Sequence, residues 1–199
     1  MKRRARLGPL HGVPVAIKDL TPTAGIRTTW GSTLFRDHVP TQDAEVVLRL
    51  KAAGAIVLGK TNTPEFGAGA HTVNKVFGAT RNPWNTALSA SGSTGGGAAA
   101  LAARIAPLAE GTDFGGSLRT PAAFCGVVGL RTTAGLVPRH PVTLPWHDQS
   151  VSGPMARTAE DCALLLDAMT GLSAKSPLSV AAPWKSARER LAKARNLKG

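Results

Sequence analysis

A chain of 199 residues with 43% hydrophobic residues is long enough for one domain with a sizeable core, and none of its apolar runs approaches the ~20 residues needed to cross a bilayer. The chain has two cysteines, and no apolar segment follows its basic start, so we expect a cytoplasmic protein with buried free thiols at Cys125 and Cys162. The net charge of +12 lies mainly at the two ends, without an aromatic-interleaved or helix-turn-helix pattern, which disfavours nucleic-acid binding as the main function.

Segments typical of strands alternate with segments typical of helices. Apolar patterns predict a strand over residues 12–20 that ends near Lys18, a short buried strand over residues 55–59, and another strand over residues 127–130. Acidic residues early, basic residues late and a following glycine predict a helix over residues 41–53. An alanine-rich run predicts a helix over residues 95–105, and a capping threonine with an acidic first turn predicts another over residues 158–169. This alternation predicts a layered α/β fold.

The composition changes after Gly171. Residues 172–199 are polar, basic and contain proline, which indicates a linker followed by an exposed amphipathic helix. We therefore predict a core over residues 1–171 and a basic tail over residues 172–199.

Two serines framed by glycines and one lysine are the candidate catalytic residues. Lys18 ends the segment GVPVAIKDL, Ser93 lies in SASGSTGGG, and Ser117 follows DFGG. A serine hydroxyl needs a neighbouring base to take its proton, and a lysine with a lowered pKa can be that base. The pattern favours acyl transfer by a Ser–Lys variant of the catalytic triad, with the second serine as a relay.

Each of these motifs also has a simpler interpretation. A lysine at a strand end can point into solvent, and DFGGS can be a plain turn between a strand and a helix. The glycine–serine run can be an ordinary loop or a glycine-rich helix start that binds an anion. It is not a P-loop, because no Gly-Lys-[Ser/Thr] follows, nor a G-x-S-x-G motif, because Ser91 takes the first glycine position.

Four consecutive segments together resemble the amidase signature family of serine hydrolases. They are LHGVPVAIKDL, GAIVLGKTNTPEFGAGA, FGATRNPWNTALSASGSTGGGAAALAA and GTDFGGSLRTPAAFCGVVGLRTT, and the match covers residues 7–171 in the family's order. The resemblance implies a mixed twisted sheet flanked by helices. It also implies hydrolysis of a small carboxylic amide to an acid plus ammonia or an amine, with no cofactor and no metal.

The resemblance implies roles for individual residues as well. Ser117 would be the nucleophile, Ser93 the relay that follows a cis peptide bond at Gly92–Ser93, and Lys18 the base. Backbone N–H groups would form the oxyanion hole, at Phe114, Gly115, Gly116 and Ser117. The loops would be held by supporting residues, namely Thr94, Asp113 and Arg119.

The chain departs from the family in sequence and in length. The glycine–serine loop usually reads G-G-S-S-G-G, whereas this chain has Ser91 for the first glycine and Thr94 for the second serine. Family members are much longer, so we expect an incomplete sheet whose open edges favour a homo-oligomer or a covering partner. Besides an amide hydrolase, two functions stay open. One is a truncated, inactive or non-catalytic binding protein, and the other is a component that transamidates misacylated tRNA within a larger complex.

Overall fold

The computed structural model describes residues 7–194, in which strands and helices alternate along the chain. The strands are β1 (Pro14–Lys18), β2 (Ile56–Thr61), β3 (Val73–Asn74), β4 (Gly78–Ala79), β5 (Arg81–Asn82), β6 (Asn85–Ser89), β7 (Leu108–Asp113), β8 (Val128–Gly129) and β9 (Val151–Ala156). The helices are α1 (Glu45–Ala52), α2 (Gly95–Ala102), α3 (Arg119–Cys125), α4 (Ala159–Met169) and α5 (Ala187–Lys193).

A mixed five-stranded sheet with the order β2-β1-β7-β9-β8 forms the centre of the fold. Strand β1 runs parallel to both β2 and β7, and β9 runs antiparallel to β7 and β8. Ala16 lies opposite Ala109, and Asp113 lies opposite Val151. Two short hairpins, β3–β4 and β5–β6, lie apart from this sheet. The architecture confirms the predicted α/β class with a mixed sheet flanked by helices.

Each face of the sheet has its own hydrophobic core, because successive side chains of a strand point to opposite faces. Val15 and Ile17 of β1 join the first core with side chains of α1 and α4. Ala16 joins the second core with side chains of α2 and α3. The sheet therefore lies between two helical layers, and the ends of its central strands are fixed from both sides.

The best predicted elements are those with clear terminal signals. Strand β1 ends at Lys18 as predicted, and α4 begins directly after Thr158, whose hydroxyl accepts the Asp161 N–H at 3.1 Å. Helix α1 starts four residues later than expected. Asp43 accepts the Ala24 N–H at 2.8 Å, and the Ala44 N–H donates to Pro22 O at 2.9 Å, so this stretch is held extended.

The prediction that the second strand is buried is wrong. Strand β2 forms one edge of the sheet, and its side chains Ile56 and Leu58 are 56% and 51% exposed. The face of β2 that carries these two side chains is exposed to solvent, so the strand is not buried on both faces. The partner or second copy expected to cover such an edge stays a prediction.

The C-terminal segment packs against the sheet domain through α4. The Asp167 carboxylate accepts hydrogen bonds from the Ser186 hydroxyl at 2.7 Å and from the Ala187 N–H at 2.6 Å. Trp184 and Ala187 pack against the first core. The predicted amphipathic helix corresponds to α5, while residues 1–6 and 195–199, including parts of both basic ends, lie outside the described residues. The boundary near residue 172 stays a prediction.

Cys125 and Cys162 are buried free thiols, as predicted. Burial raises the pKa of the Cys125 thiol and raises that of Cys162 to about 11, so both are poor nucleophiles at neutral pH. Over residues 7–194, no helix has both the length and the apolar character needed to cross a membrane.

Candidate active site

Lys18 lies at the end of β1, in the interior of the protein, and its side chain is completely buried. Its Nζ donates hydrogen bonds to Ser93 Oγ at 2.8 Å, Thr94 Oγ1 at 2.8 Å and Thr112 Oγ1 at 2.9 Å. Burial lowers the pKa of Lys18 from 10.5 to about 7, although the negative charges of Glu110 and Asp113 act in the opposite direction. A lysine with this pKa is partly neutral at neutral pH and can accept a proton.

The loop that carries Ser93 is held by the neighbouring segment. Thr72 Oγ1 donates to Ser91 O at 2.9 Å and accepts the Gly95 N–H at 3.1 Å. The Gly92–Ser93 peptide bond is cis, as the family resemblance implies. Ser91 adopts φ +61°, the left-handed region that favours glycine, at the position where the resemblance implies a glycine.

Ser117 lies in the turn between β7 and α3. Asp113 shapes this turn, because its carboxylate accepts the Gly116 N–H at 2.8 Å and the Leu118 N–H at 3.0 Å. The Thr94 N–H donates to Ser117 O at 3.2 Å and so joins the two serine loops. The Ser117 hydroxyl, which is half-buried, forms no hydrogen bond within residues 7–194. The structure thus brings Lys18 and Ser93 into direct contact and holds Ser117 in the adjoining loop.

Two arginines neutralise the buried Asp113 carboxylate. Arg119 Nε donates to it at 3.1 Å and Arg131 Nη1 at 2.9 Å. Burial would raise the pKa of Asp113, but hydrogen bonds from Arg119, from the Leu118 and Gly116 N–H groups and from Arg131 hold it well below its usual range. The carboxylate therefore stays ionised and keeps the Ser117 turn in place.

Sequence reasoning missed Thr112 and Arg131. Thr112 is part of the GTDFGGS motif, and its position directly before Asp113 is the sequence signal that could have identified it as a site residue. Arg131 Nη1 also donates to Asp113 O, across 18 residues of chain, which no local pattern reveals.

Of the four backbone N–H groups expected to form the oxyanion hole, three donate no hydrogen bond within residues 7–194. The Gly116 N–H is taken by Asp113, which differs from the role that the resemblance implies. The N–H groups of Phe114, Gly115 and Ser117 form no hydrogen bond within the described part of the chain. These three groups are thus available to a negatively charged oxygen.

A cleft of about 790 Å³ opens beside this cluster. Thr112 lines it and also contacts Lys18, which connects the cleft to the buried amine. One wall consists of three aromatic rings in edge-to-face contact, with centroids 4.9 Å apart for Trp30 and Phe35 and 6.1 Å apart for Phe35 and Phe66. His147 also lines the cleft, and its ring stacks on that of Phe114 with the centroids 5.7 Å apart. The cleft therefore passes near the Ser117 turn through His147 and Thr112, while Ser117, Ser93 and Lys18 do not line it.

The site is thus a buried lysine in contact with hydroxyl groups, beside a serine in a turn with unengaged N–H groups, at one end of an α/β sheet. No group of three or more His, Cys, Asp or Glu side chains within residues 7–194 is arranged to hold a metal ion. The fold is of the α/β class, with a mixed sheet between two helical layers. The family model described as Amidase matches residues 1–198, and the chain belongs to the amidase signature family.

Individual relatives agree with this assignment. An acylamidase from Rhodococcus erythropolis is 49% identical over 175 residues, which are 88% of this chain and 37% of that protein. One of the subunits of the glutamyl-tRNA(Gln) amidotransferase from Methylococcus capsulatus is 47% identical over 180 residues, which are 90% of this chain and 37% of that protein. A solved structure of a bacterial aryl acylamidase of the amidase signature family has a TM-score of 0.85 and 34% identity, covering 90% of this chain and 38% of that one. The chain therefore spans little more than a third of the length of the relatives it matches.

Proposed function

We propose that this chain carries the reacting residues of an amide hydrolase, with Ser117 as nucleophile, Ser93 as proton relay and Lys18 as base. The observation that carries the proposal is the buried amine of Lys18, 2.8 Å from Ser93 Oγ, with a pKa lowered to about 7. An exposed lysine would stay protonated at neutral pH and could not act as a base. Membership of the amidase family supports the same reaction class.

In the proposed first step, Ser117 Oγ attacks the amide carbonyl carbon. Its proton passes to Ser93, whose own proton passes to Lys18 Nζ. The carbonyl oxygen becomes an oxyanion and accepts hydrogen bonds from unengaged N–H groups, as in other acyl transfers. Contacts of this kind are often loose before substrate binds and tighten in the complex, which agrees with the unpaired Ser117 hydroxyl.

In the second half of the cycle, the C–N bond breaks and the amine leaves with the proton that Lys18 returns through Ser93. An ester between the acyl group and Ser117 Oγ remains. Water then attacks this ester, with the same relay taking its proton, and releases the acid. Thr94 would keep the relay oriented, since its hydroxyl donates to Thr112 O at 3.1 Å.

A serine-reactive fluorophosphonate probe tests the nucleophile directly. We expect stoichiometric labelling of the folded chain, complete loss of labelling in Ser117→Ala, and unchanged labelling in the control Ser173→Ala, which lies outside the site. Intact-mass analysis counts the adducts and circular dichroism verifies folding. A Ser117→Ala protein that still labels or hydrolyses amides at the full rate would refute the assignment. A folded wild-type chain that never labels would support the non-catalytic alternative.

A second candidate function is that of a component of a tRNA-dependent amidotransferase, which the 47% identity to one such component favours. It predicts transamidation of misacylated tRNA within a larger complex, whereas the acylamidase relative favours hydrolysis of an acylated amine. Comparing the two substrate classes under identical conditions separates the candidates. Loss of either activity in Ser117→Ala ties it to this site.

A further inference from the structure

A second buried charged residue lies next to Lys18. Glu110, on β7, is completely buried, and its Oε2 accepts the Lys18 backbone N–H at 3.3 Å. Its two oxygens also accept the Thr21 hydroxyl, at 3.1 and 3.0 Å. Each of these partners presents a donor to the carboxyl group, which favours the ionised form.

The charged groups around Glu110 come from every element packed against it. Lys18 lies on β1, and Lys60 on β2 directs its Nζ to Thr21 O and, at 2.9 Å, to Thr23 Oγ1. Arg139 precedes β9, and its guanidinium donates to Ser150 O at 2.7 Å while interacting electrostatically with Glu110. Further carboxylates act on the two lysines, namely Asp113 on Lys18, and Asp19 and Asp43 on Lys60. Within residues 7–194 Glu110 forms no direct ion pair.

A buried carboxylate without a direct ion pair is costly for stability, and an apolar side chain of similar volume would cost less. The pKa of Glu110 lies above its ordinary value, because burial outweighs the Thr21 hydroxyl and the charges of Lys60 and Lys18, which act in the opposite direction. The charge of Glu110 in turn raises the pKa of Lys18. A residue that is unfavourable for folding but coupled to the candidate base points to a role in the chemistry.

We propose that Glu110 is a positioning residue for Lys18, holding the end of β1 through the Lys18 N–H and supplying the negative charge that lets Nζ take and keep a proton. This inference rests on the proposed function. Burial alone would leave Lys18 neutral but too weak a base to hold the Ser117 proton. With Glu110 ionised, the amine can store that proton until the leaving amine needs it.

The test measures the ionisation of Lys18 in the full chain by NMR of ¹³C-labelled lysine, with the signal assigned from a Lys18→Met sample. In Glu110→Gln we expect the Lys18 titration midpoint to fall by about 1 pH unit, since an opposite charge nearby shifts a pKa by about that much or more. The acid limb of the labelling rate against pH should move the same way. The matched control is Glu160→Gln, an exposed residue of α4, which should move neither.

Thr21→Val provides a second variant if Glu110→Gln does not fold. It removes the hydroxyl that stabilises the ionised Glu110, so the titration midpoint of Lys18 should also fall, by less than in Glu110→Gln. An unchanged Lys18 midpoint in a folded Glu110→Gln protein, or in Thr21→Val if that is the variant that folds, overturns the proposal.

The two hypotheses fail in different ways. A midpoint that moves in a chain that never labels at Ser117 would refute the hydrolase and keep the role of Glu110. Labelling that depends on Ser117, with a Lys18 titration midpoint that does not change in Glu110→Gln, would refute the role of Glu110 and keep the hydrolase.

Discussion

Lys18 becomes a candidate base because its amine is removed from water. Burial disfavours the charged ammonium form and lowers the pKa of Lys18. The nearby carboxylates of Glu110 and Asp113 favour the charged form and oppose part of this shift, so the pKa of Lys18 is about 7. The three hydroxyl partners solvate the amine in place of water. The reactivity of this residue is therefore set by its surroundings rather than by its chemical type.

The proposed mechanism predicts a pH profile for Ser117 labelling. The neutral amine is the base, so the labelling rate should rise with pH around a midpoint near 7, where Lys18 loses its proton. Lys18→Arg should abolish labelling over the whole range, because a guanidinium stays protonated. The exposed Lys75→Arg is the control and should behave as the wild type. A midpoint near the ordinary lysine pKa of about 10.4 would contradict the role of Lys18.

At the scale of elements, the site depends on very close approach of the loop before α2 to β7. A Cβ added at Gly111 would lie 2.5 Å from the Thr94 methyl carbon. Threonine at position 94, where the family has serine, fills the space that Gly111 leaves. The two positions are therefore coupled by packing.

This coupling predicts the behaviour of a double variant. Gly111→Ala should destabilise the fold by about 2 kcal/mol, as overpacked sites do, and reduce labelling at least about tenfold by displacing Thr94. Thr94→Ser should be close to wild type alone and should restore part of the loss in combination, measured by urea unfolding and labelling rate. Gly115→Ala is the matched control for stability, since a Cβ there meets open space. Purely additive effects would contradict the coupling.

Of the five strands in the central sheet, sequence reasoning found β1, β2 and β8, which have regular patterns, and the two that it missed lack them. Strand β7 contains Glu110 and Gly111 in its middle, and β9 contains Gly153 and Pro154. Polar, glycine and proline residues break the apolar alternation by which a strand is recognised, although β9 is buried throughout.

The site shows the same limit. Family resemblance predicted that Lys18 and Ser93 come together, and they do. The contacts of Thr112 and Arg131, and the capture of the Gly116 N–H by Asp113, depend on the tertiary arrangement of β7, β8 and β9.

At the scale of the whole molecule, buried lysines make stability depend on pH. Burial lowers the pKa of Lys18 to about 7 and that of Lys60 to about 8, both below the value in an unfolded chain. Between those values and about pH 10.4 the unfolded state binds more protons than the folded one, so the free energy of unfolding increases as pH rises through this window.

Urea unfolding at pH 7 and pH 9.5 measures this dependence. We expect Lys18→Met to flatten the rise, with the contribution of Lys18 on the order of 3 kcal/mol. The exposed Lys75→Met should keep the slope of the wild type. A wild-type stability that falls over this window would contradict the buried state of these amines.

The three hydroxyl partners of Lys18 have a consequence for hydrogen positions. An ammonium has three protons and can donate one to each partner, whereas a neutral amine has two protons and a lone pair, so one hydroxyl must then turn and donate. Thr94 already gives its proton to Thr112 O, which leaves Ser93 and Thr112 as the hydroxyls able to turn. The charge of Lys18 is therefore coupled to the direction of the O–H bond of Ser93 or of Thr112. A proton transfer to or from Lys18 at this buried site therefore requires one hydroxyl to rotate, while every heavy atom can stay in place.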